Sequence, residues 1–175
     1  MSDRAADFTG SIPTFYDHGL GPVFFTDFAE DIARRAAESA PMRVLETAAG
    51  TGIVTRRLRD LLPREAHLIA TDLNPPMLEV ARQKFRPDEA VEFQPADAAA
   101  LPFPDASFDA VVCQFGVMFF PDKSAVLAHA GRSVADAERA GVRAQLVGDQ
   151  QSGAKPCFLS SLRISRSAAR LSRRR

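Results

Sequence analysis

The chain has 175 residues, enough for one domain, and its 46% hydrophobic and 25% charged residues exclude a disordered chain. Its two cysteines exclude a disulfide framework, and no apolar run reaches the roughly 18 residues that a membrane span needs. The N-terminal segment lacks the basic start and apolar core of a signal peptide. We therefore expect a cytoplasmic protein without a membrane span.

The formal net charge of +0 conceals an asymmetry between the two ends of the chain. All 22 acidic residues lie at or before Asp149, whereas seven of the 22 basic residues follow it, so residues 1–150 carry −7 and residues 151–175 carry +7. An acidic body is not typical of a nucleic-acid-binding protein, so we expect no nucleic-acid partner. An RNA-binding or membrane-binding extension is an alternative for the basic end alone.

Strands and helices are predicted to alternate along most of the chain. In chain order, apolar spacing and turn residues predict helix 22–39, strand 43–47, helix 53–62, strand 67–71, helix 74–85, strand 91–94, strand 108–115 and helix 122–139. This rhythm predicts an α/β fold with a Rossmann-like, doubly wound, mostly parallel sheet and helices on both faces. Ligands of such sheets bind beyond the carboxyl ends of the strands, near the point where the strand order reverses.

The last third of the chain has a weaker pattern. A short strand is predicted within 141–147, and the sequence from Gln151 onward is rich in Ser and Arg without any period. We therefore divide the chain into a domain over residues 1–150 and a basic, disordered tail over residues 151–175.

The segment from Val44 to Gly52, with the sequence VLETAAGTG, carries the first chemical signal. Glu46 lies near the end of a buried strand, and Gly50 and Gly52 allow a bend on which a ligand could lie directly. The helix that follows offers unpaired N–H groups at its start. An ordinary tight turn between a strand and a helix is the alternative.

Two further acidic residues end the next two strands. Asp72 is placed to accept hydrogen bonds from ribose hydroxyls, and Asp97 from an exocyclic adenine amine. The alternatives are a helix cap for Asp72 and a surface turn for Asp97. Because Thr55 replaces the third glycine of the dinucleotide fingerprint and Glu46 would repel a pyrophosphate, the pattern favours a nucleoside joined to an amino acid over a dinucleotide.

These motifs resemble class I S-adenosylmethionine-dependent methyltransferases, and most closely the small-molecule branch that contains the ubiquinone/menaquinone-biosynthesis C-methyltransferases. The resemblance covers about residues 11–127. Its matching segments are FYDHGLGPVFF (15–25), VLETAAGTG (44–52), ATDLNPPMLEVAR (70–82) and FQPADAAALPFPDASFDAVVCQFGVMFFPDK (93–123).

The resemblance implies S-adenosylmethionine as the cofactor, a small molecule as the methyl acceptor and no metal. It implies no particular catalytic residue, because positioning alone can supply much of the rate when the acceptor is already nucleophilic. The implied cofactor contacts are Tyr16 closing over the cofactor, Glu46, Gly50 and Gly52 around the methionine part, Asp72 on the ribose, Asp97 and Ala98 at the adenine, and Gln114 near the transferred methyl.

The histidines and Cys113 are the other side chains that could take part in catalysis. His18 is the histidine that we place near the mouth of the site, where a role as a base is an alternative. His67 begins a strand at the wrong end of the sheet, and His129 on a helix is expected to be structural. We predict that Cys113, in an apolar strand, is a core residue and not a nucleophile.

The resemblance ends near residue 128. The family continues with a Pro-Gly-Gly turn and further strands that complete a seven-stranded sheet, and this chain has no Pro-Gly-Gly anywhere. We therefore expect the last strands to be missing, which would leave the edge of the fourth strand unpaired, and we interpret the change as an altered reading frame. A non-catalytic, truncated or frameshifted cofactor-binding protein is the alternative function, and a nicotinamide-dependent oxidoreductase is a third.

Overall fold

The computed structural model of the protein describes residues 26–134, 145–146 and 161–165. A 3-10 helix, Gly116–Phe119, follows the fourth strand. The four helices are α1 (Thr26–Ala37), α2 (Ile53–Leu61), α3 (Pro75–Arg82) and α4 (Lys123–Ser133). The six strands are β1 (Arg43–Thr47), β2 (His67–Asp72), β3 (Val91–Pro95), β4 (Ala110–Gln114), β5 (Gln145–Leu146) and β6 (Ser161–Ser165).

The strands form one sheet in the order β3-β2-β1-β4-β6-β5. The first four strands in this order are parallel, and β6 is antiparallel to both β4 and β5. The chain places β2 and β3 on one side of β1 and β4 on the other, so the strand order reverses between β1 and β4. This topology confirms the predicted doubly wound, mostly parallel sheet and locates its ligand-binding crevice.

Both faces of the sheet are covered by apolar side chains, as predicted. On one face, Val44 and Val112 pack with Ile32 of α1 and Leu58 of α2. On the other face, Leu45 and Val111 pack with Ala130 of α4 and with the loop residues Leu101 and Phe108. Neighbouring residues of β1 and β4 thus serve opposite faces, which explains why the predicted strands contain almost continuous apolar runs.

The amino ends of β1 and β4 are fastened together by a carboxylate. Asp109 Oδ2 accepts from the backbone N–H groups of Met42 (3.1 Å) and Arg43 (2.9 Å), and its Oδ1 accepts from the Arg43 guanidinium at 3.0 Å. This group lies at the opposite end of the sheet from the crevice, because all four parallel strands point away from it.

The C-terminal part requires a correction. Disorder was predicted for 151–175, but residues 161–165 form β6, which pairs along the whole of β4 from Ala110 to Gln114. The edge of β4 is therefore not open, and its buried backbone groups gain the partners that they need. The described strands number six, against the seven of the family that the sequence resembles. The rest of the predicted tail lies outside the described residues, and the division into a domain and a tail stays a prediction.

The element boundaries differ modestly from expectation. The fourth strand begins at Ala110 and not at Phe108, which forms a single bridge with Val134. The helix after Pro75 ends at Arg82, and the short strand predicted within 141–147 is observed as Gln145–Leu146. Within the described ranges, no helix is long and apolar enough to cross a membrane.

Candidate functional site

The turn between β1 and α2 has a backbone that few residue types adopt. Ala48, Gly50 and Gly52 have φ values of 52°, 57° and 79°. A Cβ on Gly52 would also lie 2.8 Å from the Cβ of Ala81 in α3, so this position requires glycine for space as well as conformation. The glycine bend thus lets α2 begin directly against α3, and Gly52 itself lines neither of the cavities described below.

Asp72, at the end of β2, fastens this turn to the next one. Its Oδ2 accepts from the backbone N–H of Gly50 at 2.8 Å, and its Oδ1 accepts from the Asn74 backbone N–H at 2.8 Å and from Asn74 Nδ2 at 3.2 Å. Asn74 precedes α3 and makes no side-chain cap hydrogen bond to it. The structure therefore gives Asp72 a role in holding two turns together that neither the ribose hypothesis nor the helix-cap alternative included.

A cleft opens at the carboxyl ends of β1, β2, β3 and β4. It encloses about 1010 Å³, including the part that is open to solvent. Six of the residues that line it come from four separate turns, and five of these were predicted to bind the cofactor. These residues are Ala48, Gly50, Asp72, Asp97, Ala98 and Gln114.

A smaller cavity of about 350 Å³ adjoins this cleft on the side of α2. Glu46 and Thr51 line it, and it shares Gly50, Gln114 and Phe115 with the larger cleft. The two spaces therefore meet at the glycine bend. Glu46 belongs to the smaller space, whereas Asp72 and Asp97 belong to the larger one.

Burial dominates the electrostatics of Glu46. The residue is 2% exposed, and burial raises the pKa of its carboxyl group to about 8 from the usual 4.5. The neighbouring Thr55 side chain acts in the opposite direction, and the charge of Asp72 adds to the increase. At neutral pH, the cofactor-free protein therefore holds Glu46 mostly uncharged.

Several buried polar atoms around Glu46 have no hydrogen-bond partner among the described residues. They are Glu46 Oε2, Thr51 Oγ1, Thr55 Oγ1 and Gln114 Nε2. Three of these residues, Glu46, Thr51 and Gln114, line the smaller cavity. Because buried polar groups in folded proteins are almost always paired, their unpaired atoms indicate a site that a polar ligand completes.

Asp97 is exposed at the far side of the cleft. Its Oδ1 accepts from the backbone N–H of Ala99 at 2.8 Å, and its carbonyl accepts from Ala100 N–H at 3.0 Å. It therefore holds its own turn, as the surface-turn alternative supposed, and it also lines the cleft beside the buried Ala98. The two interpretations are compatible.

The apolar wall of the cleft was missed in the sequence. Phe115, Phe119 and Phe120 after β4 and Leu73 after β2 line it, and Leu73 and Phe119 are 59% and 45% exposed at its mouth. Phe115 has a φ of 59° and its ring meets that of Phe28 edge to face at 5.9 Å. The run FGVMFFP directly after an apolar strand was the available signal, because a core strand rarely needs so many aromatic residues beyond its end.

The remaining candidate residues lie away from the cleft or outside the described residues. His67 is the first residue of β2, at the end opposite Asp72, and His129 lies in α4 with its Nδ1 at 3.0 Å from an Arg132 nitrogen. Cys113 is buried, and burial raises the pKa of its thiol to about 12, which suits a core residue. Tyr16 and His18 lie outside the described residues. No group of three metal-ligating side chains occurs in the described ranges.

Packing of the turn after β4 against the turn after β1 yields a stability prediction. A Cβ on Gly116 would overlap the Cβ of Ala48. We expect Gly116→Ala to lower the free energy of unfolding by about 1–3 kcal/mol, because the two turns would have to separate. Ala48→Gly should restore most of this loss in the double variant, since it removes the opposing methyl group and relieves a positive φ.

Urea unfolding of the wild type, both single variants and the double variant gives the coupling energy. A coupling energy of about 1 kcal/mol or more is expected. Additive effects would mean that the turns do not touch through these two residues.

Comparison with known proteins agrees with this geometry. A family model described as a methyltransferase domain matches residues 44–137. A demethylmenaquinone methyltransferase from Deinococcus radiodurans is 41% identical over 101 residues, which are 57% of this chain and 42% of that protein. The ubiquinone/menaquinone biosynthesis C-methyltransferase UbiE of Shewanella frigidimarina is 38% identical over 95 residues, 53% of this chain and 38% of that one. The chain thus spans less than half the length of these curated relatives.

A solved structure has a similar fold over most of this chain. The S-adenosylmethionine-bound CalS10, an amino pentose methyltransferase from Micromonospora echinaspora, aligns with a TM-score of 0.57 and 26% identity. The alignment covers 70% of this chain and 52% of that one.

Proposed function

The chain belongs to the methyltransferase domain family of class I S-adenosylmethionine-dependent enzymes, and from this premise we propose that it transfers a methyl group from S-adenosylmethionine to a small, quinone-type acceptor. The observation that carries the proposal is the convergence of three turns on one crevice. The turns after β1, β2 and β3 contribute Gly50, Asp72 and Asp97 to a single cleft at the reversal of strand order.

The residues of the two connected spaces fit the two halves of the cofactor. The larger, mostly apolar cleft suits the adenosine, with Asp97 and Ala98 at the base and Asp72 at the ribose. The smaller cavity suits the amino acid half, because Glu46 and Thr51 offer partnerless polar atoms there. Bound S-adenosylmethionine supplies a methyl group on a positively charged sulfur.

The Asp72 carboxylate can accept few hydrogen bonds from the ribose. A carboxylate has about four acceptor positions, and the chain itself occupies three of them through Gly50 and Asn74. One position on Oδ2 remains, so we expect this carboxylate to accept from one ribose hydroxyl. The turn that it holds is thereby positioned before any ligand arrives, which lowers the entropic cost of binding.

The protein would promote methyl transfer mainly by positioning the acceptor against the methyl group and by excluding water. Gln114 and Phe115 lie where the two spaces meet, so they border the point at which the acceptor would approach the methyl group. Phe119, Phe120 and Leu73 form an apolar wall beside it. Alignment of acceptor and methyl group can be worth about 7–11 kcal/mol, so an acceptor that is already nucleophilic needs no acid or base to attack the methyl group. The proton that a quinol ring carbon loses on methylation would pass to solvent.

A quinone-type acceptor is supported by the names of the relatives and by the apolar wall. The exposed Asp97 carboxylate that lines the cleft does not suit a nucleic-acid acceptor, whose phosphates it would repel. We also propose a cytoplasmic location, where the Cys113 thiol would stay reduced. The non-catalytic alternative finds no support in the comparisons.

Calorimetric titration with S-adenosylhomocysteine, followed by a methyl-transfer assay, tests the function. We expect saturable binding at one site, no heat with NADH, and transfer of labelled methyl to a short-chain demethylmenaquinol. Binding of NADH alone would contradict the assignment and favour an oxidoreductase. Binding of S-adenosylhomocysteine without transfer to any quinol would favour a cofactor-binding protein without catalysis.

A further inference from the structure

Gln114, the last residue of β4, carries a buried polar side chain at the point where the two spaces of the site meet. Four residues line both the larger cleft and the smaller cavity, and Gln114 is the one of them with a polar side chain; the other three are Ala48, Gly50 and Phe115. Gln114 is 7% exposed, and its Nε2 has no hydrogen-bond partner among the described groups. Because a buried amide without a partner is unfavourable, this position indicates a ligand that supplies the missing acceptor.

The turn after β4 brings an aromatic ring to the same junction. Successive side chains of a strand normally point to opposite faces of the sheet, yet Gln114 and Phe115 line the same two spaces. The difference arises because β4 ends at Gln114 and Phe115 adopts a φ of 59°. The Phe115 ring packs edge to face against Phe28 at 5.9 Å. The junction is therefore bordered by one amide donor and one aromatic ring.

The cofactor itself offers no suitable acceptor to this amide. In the proposed arrangement, the adenosine lies in the larger cleft and the amino acid half in the smaller cavity, so the sulfur that joins them lies between the two. That sulfur is positively charged and bonded only to carbon groups, none of which accepts a hydrogen bond. The cofactor carboxylate has a separate unpaired donor in Thr51 Oγ1, which lines the smaller cavity alone. The acceptor for Gln114 is therefore expected on the second substrate.

We propose that Gln114 selects the methyl acceptor, by donating from Nε2 to an oxygen on the acceptor ring beside the carbon that receives the methyl group. This inference rests on the proposed function and narrows its substrate class to a flat, apolar ring with an oxygen next to its nucleophilic carbon. The apolar wall of Leu73, Phe119 and Phe120 suits such a ring. A ring without that oxygen would leave the amide unpaired, which a polar site penalises more than the loss of an apolar contact.

The test compares the wild type with Gln114→Met, which keeps the length of the side chain and removes the donor. The probes are 1-naphthol and naphthalene, which differ by one ring oxygen, and their fluorescence reports binding to the protein saturated with S-adenosylhomocysteine. The wild type should bind 1-naphthol about tenfold more tightly than naphthalene, and Gln114→Met should lose most of this preference. Its kcat/KM for a short-chain demethylmenaquinol should fall about tenfold, with the affinity for S-adenosylhomocysteine changed less than twofold.

Thr51→Val is the matched control. Thr51 is 1% exposed and, among the described groups, its hydroxyl has no partner either, but it lines only the smaller cavity. It should weaken S-adenosylhomocysteine binding about tenfold and keep the preference for 1-naphthol once the protein is saturated. Gln114→Met should not lower the urea midpoint of the cofactor-free protein, because it removes an unpaired buried amide. Gln114→Leu serves if the methionine variant does not fold.

Three outcomes would overturn the proposal. They are a wild type without any preference for 1-naphthol, an unchanged preference in a folded Gln114→Met or Gln114→Leu variant, and an affinity for S-adenosylhomocysteine that falls as much as that for 1-naphthol. The last would assign the amide to the cofactor. If the wild type bound no S-adenosylhomocysteine, the proposed function would fail, whereas the same probe comparison in the cofactor-free protein would still decide the role of Gln114.

Discussion

Replacing Asp72 by alanine is expected to weaken S-adenosylhomocysteine binding by about 100-fold. The variant loses a charge-assisted hydrogen bond to the ribose, worth about 1.5–3 kcal/mol. It also frees the Gly50 and Asn74 backbone N–H groups, which now bond to the carboxylate at 2.8 Å, so the glycine bend is no longer held in place. Both losses weaken ligand binding. The loss of the contacts to the Gly50 and Asn74 N–H groups also lowers the free energy of unfolding by about 1–3 kcal/mol.

Asp109→Ala separates these two effects. Asp109 also accepts from two backbone N–H groups, but at the opposite end of the sheet. It should lower stability to a similar extent and leave cofactor affinity within about twofold, as measured by urea unfolding and calorimetry. If both variants lost affinity equally, the effect would be one of general stability, and Asp72 would have no direct part in the site.

The second large effect concerns the pH dependence of cofactor binding. Glu46 is largely neutral below its pKa of about 8, and a cofactor ammonium binds best to the charged carboxylate. Binding at neutral pH must therefore release a proton. Affinity should rise by up to about tenfold per pH unit between pH 6 and 7.5 and level off near pH 8. Glu46→Gln should bind weakly and show little of this slope.

Proton release provides a direct measurement. Calorimetry of the wild type at pH 7 in buffers of different ionisation enthalpy should detect nearly one proton released per cofactor bound, and nearly none for Glu46→Gln. Glu92→Gln, at an exposed position of β3, should behave as the wild type. Proton uptake on binding, or a pH-independent affinity in the wild type, would rule out a charged Glu46 as the ammonium ligand.

The raised pKa of Glu46 also predicts how the stability of the protein depends on pH. Stability should fall as the pH rises, whereas cofactor affinity should increase. Because the folded state raises the pKa of Glu46 above the usual 4.5, it holds a proton that the unfolded chain releases. The free energy of unfolding of the cofactor-free protein, relative to Glu46→Gln, should therefore fall by about 1 kcal/mol per pH unit as the pH rises from about 5 to about 8. Bound cofactor reverses this trend, because it stabilises the charged form.

The strand ends were predictable from the sequence because parallel strands obey simple geometry. The apolar runs before Glu46 and Asp72, and the shorter β-type pattern before Asp97, indicate which end of each strand carries an acid, and the turn residues indicate where each helix begins. Once the strands are parallel, these acids must lie at the same edge of the sheet. The sequence thus predicted the crevice and most of its polar lining without any coordinates.

The parts that were not predictable depend on contacts between distant segments. The pairing of β6 with β4 joins residues about 50 positions apart, and the segment SLRIS resembles the Ser- and Arg-rich sequence around it. The number of ribose hydrogen bonds that Asp72 can accept is limited by its contact with Gly50, and the pKa of Glu46 is raised mainly by its burial. Neither property can be derived from the residue types alone.

A crystal structure of the protein with S-adenosylhomocysteine tests the central claim most directly. We expect the ribose within hydrogen-bond distance of Asp72 Oδ2, the adenine beside Asp97 and Ala98, and the amino group near Glu46. A ligand bound elsewhere, or a ribose turned away from Asp72 with the three acids contacting separate regions of solvent, would contradict the account.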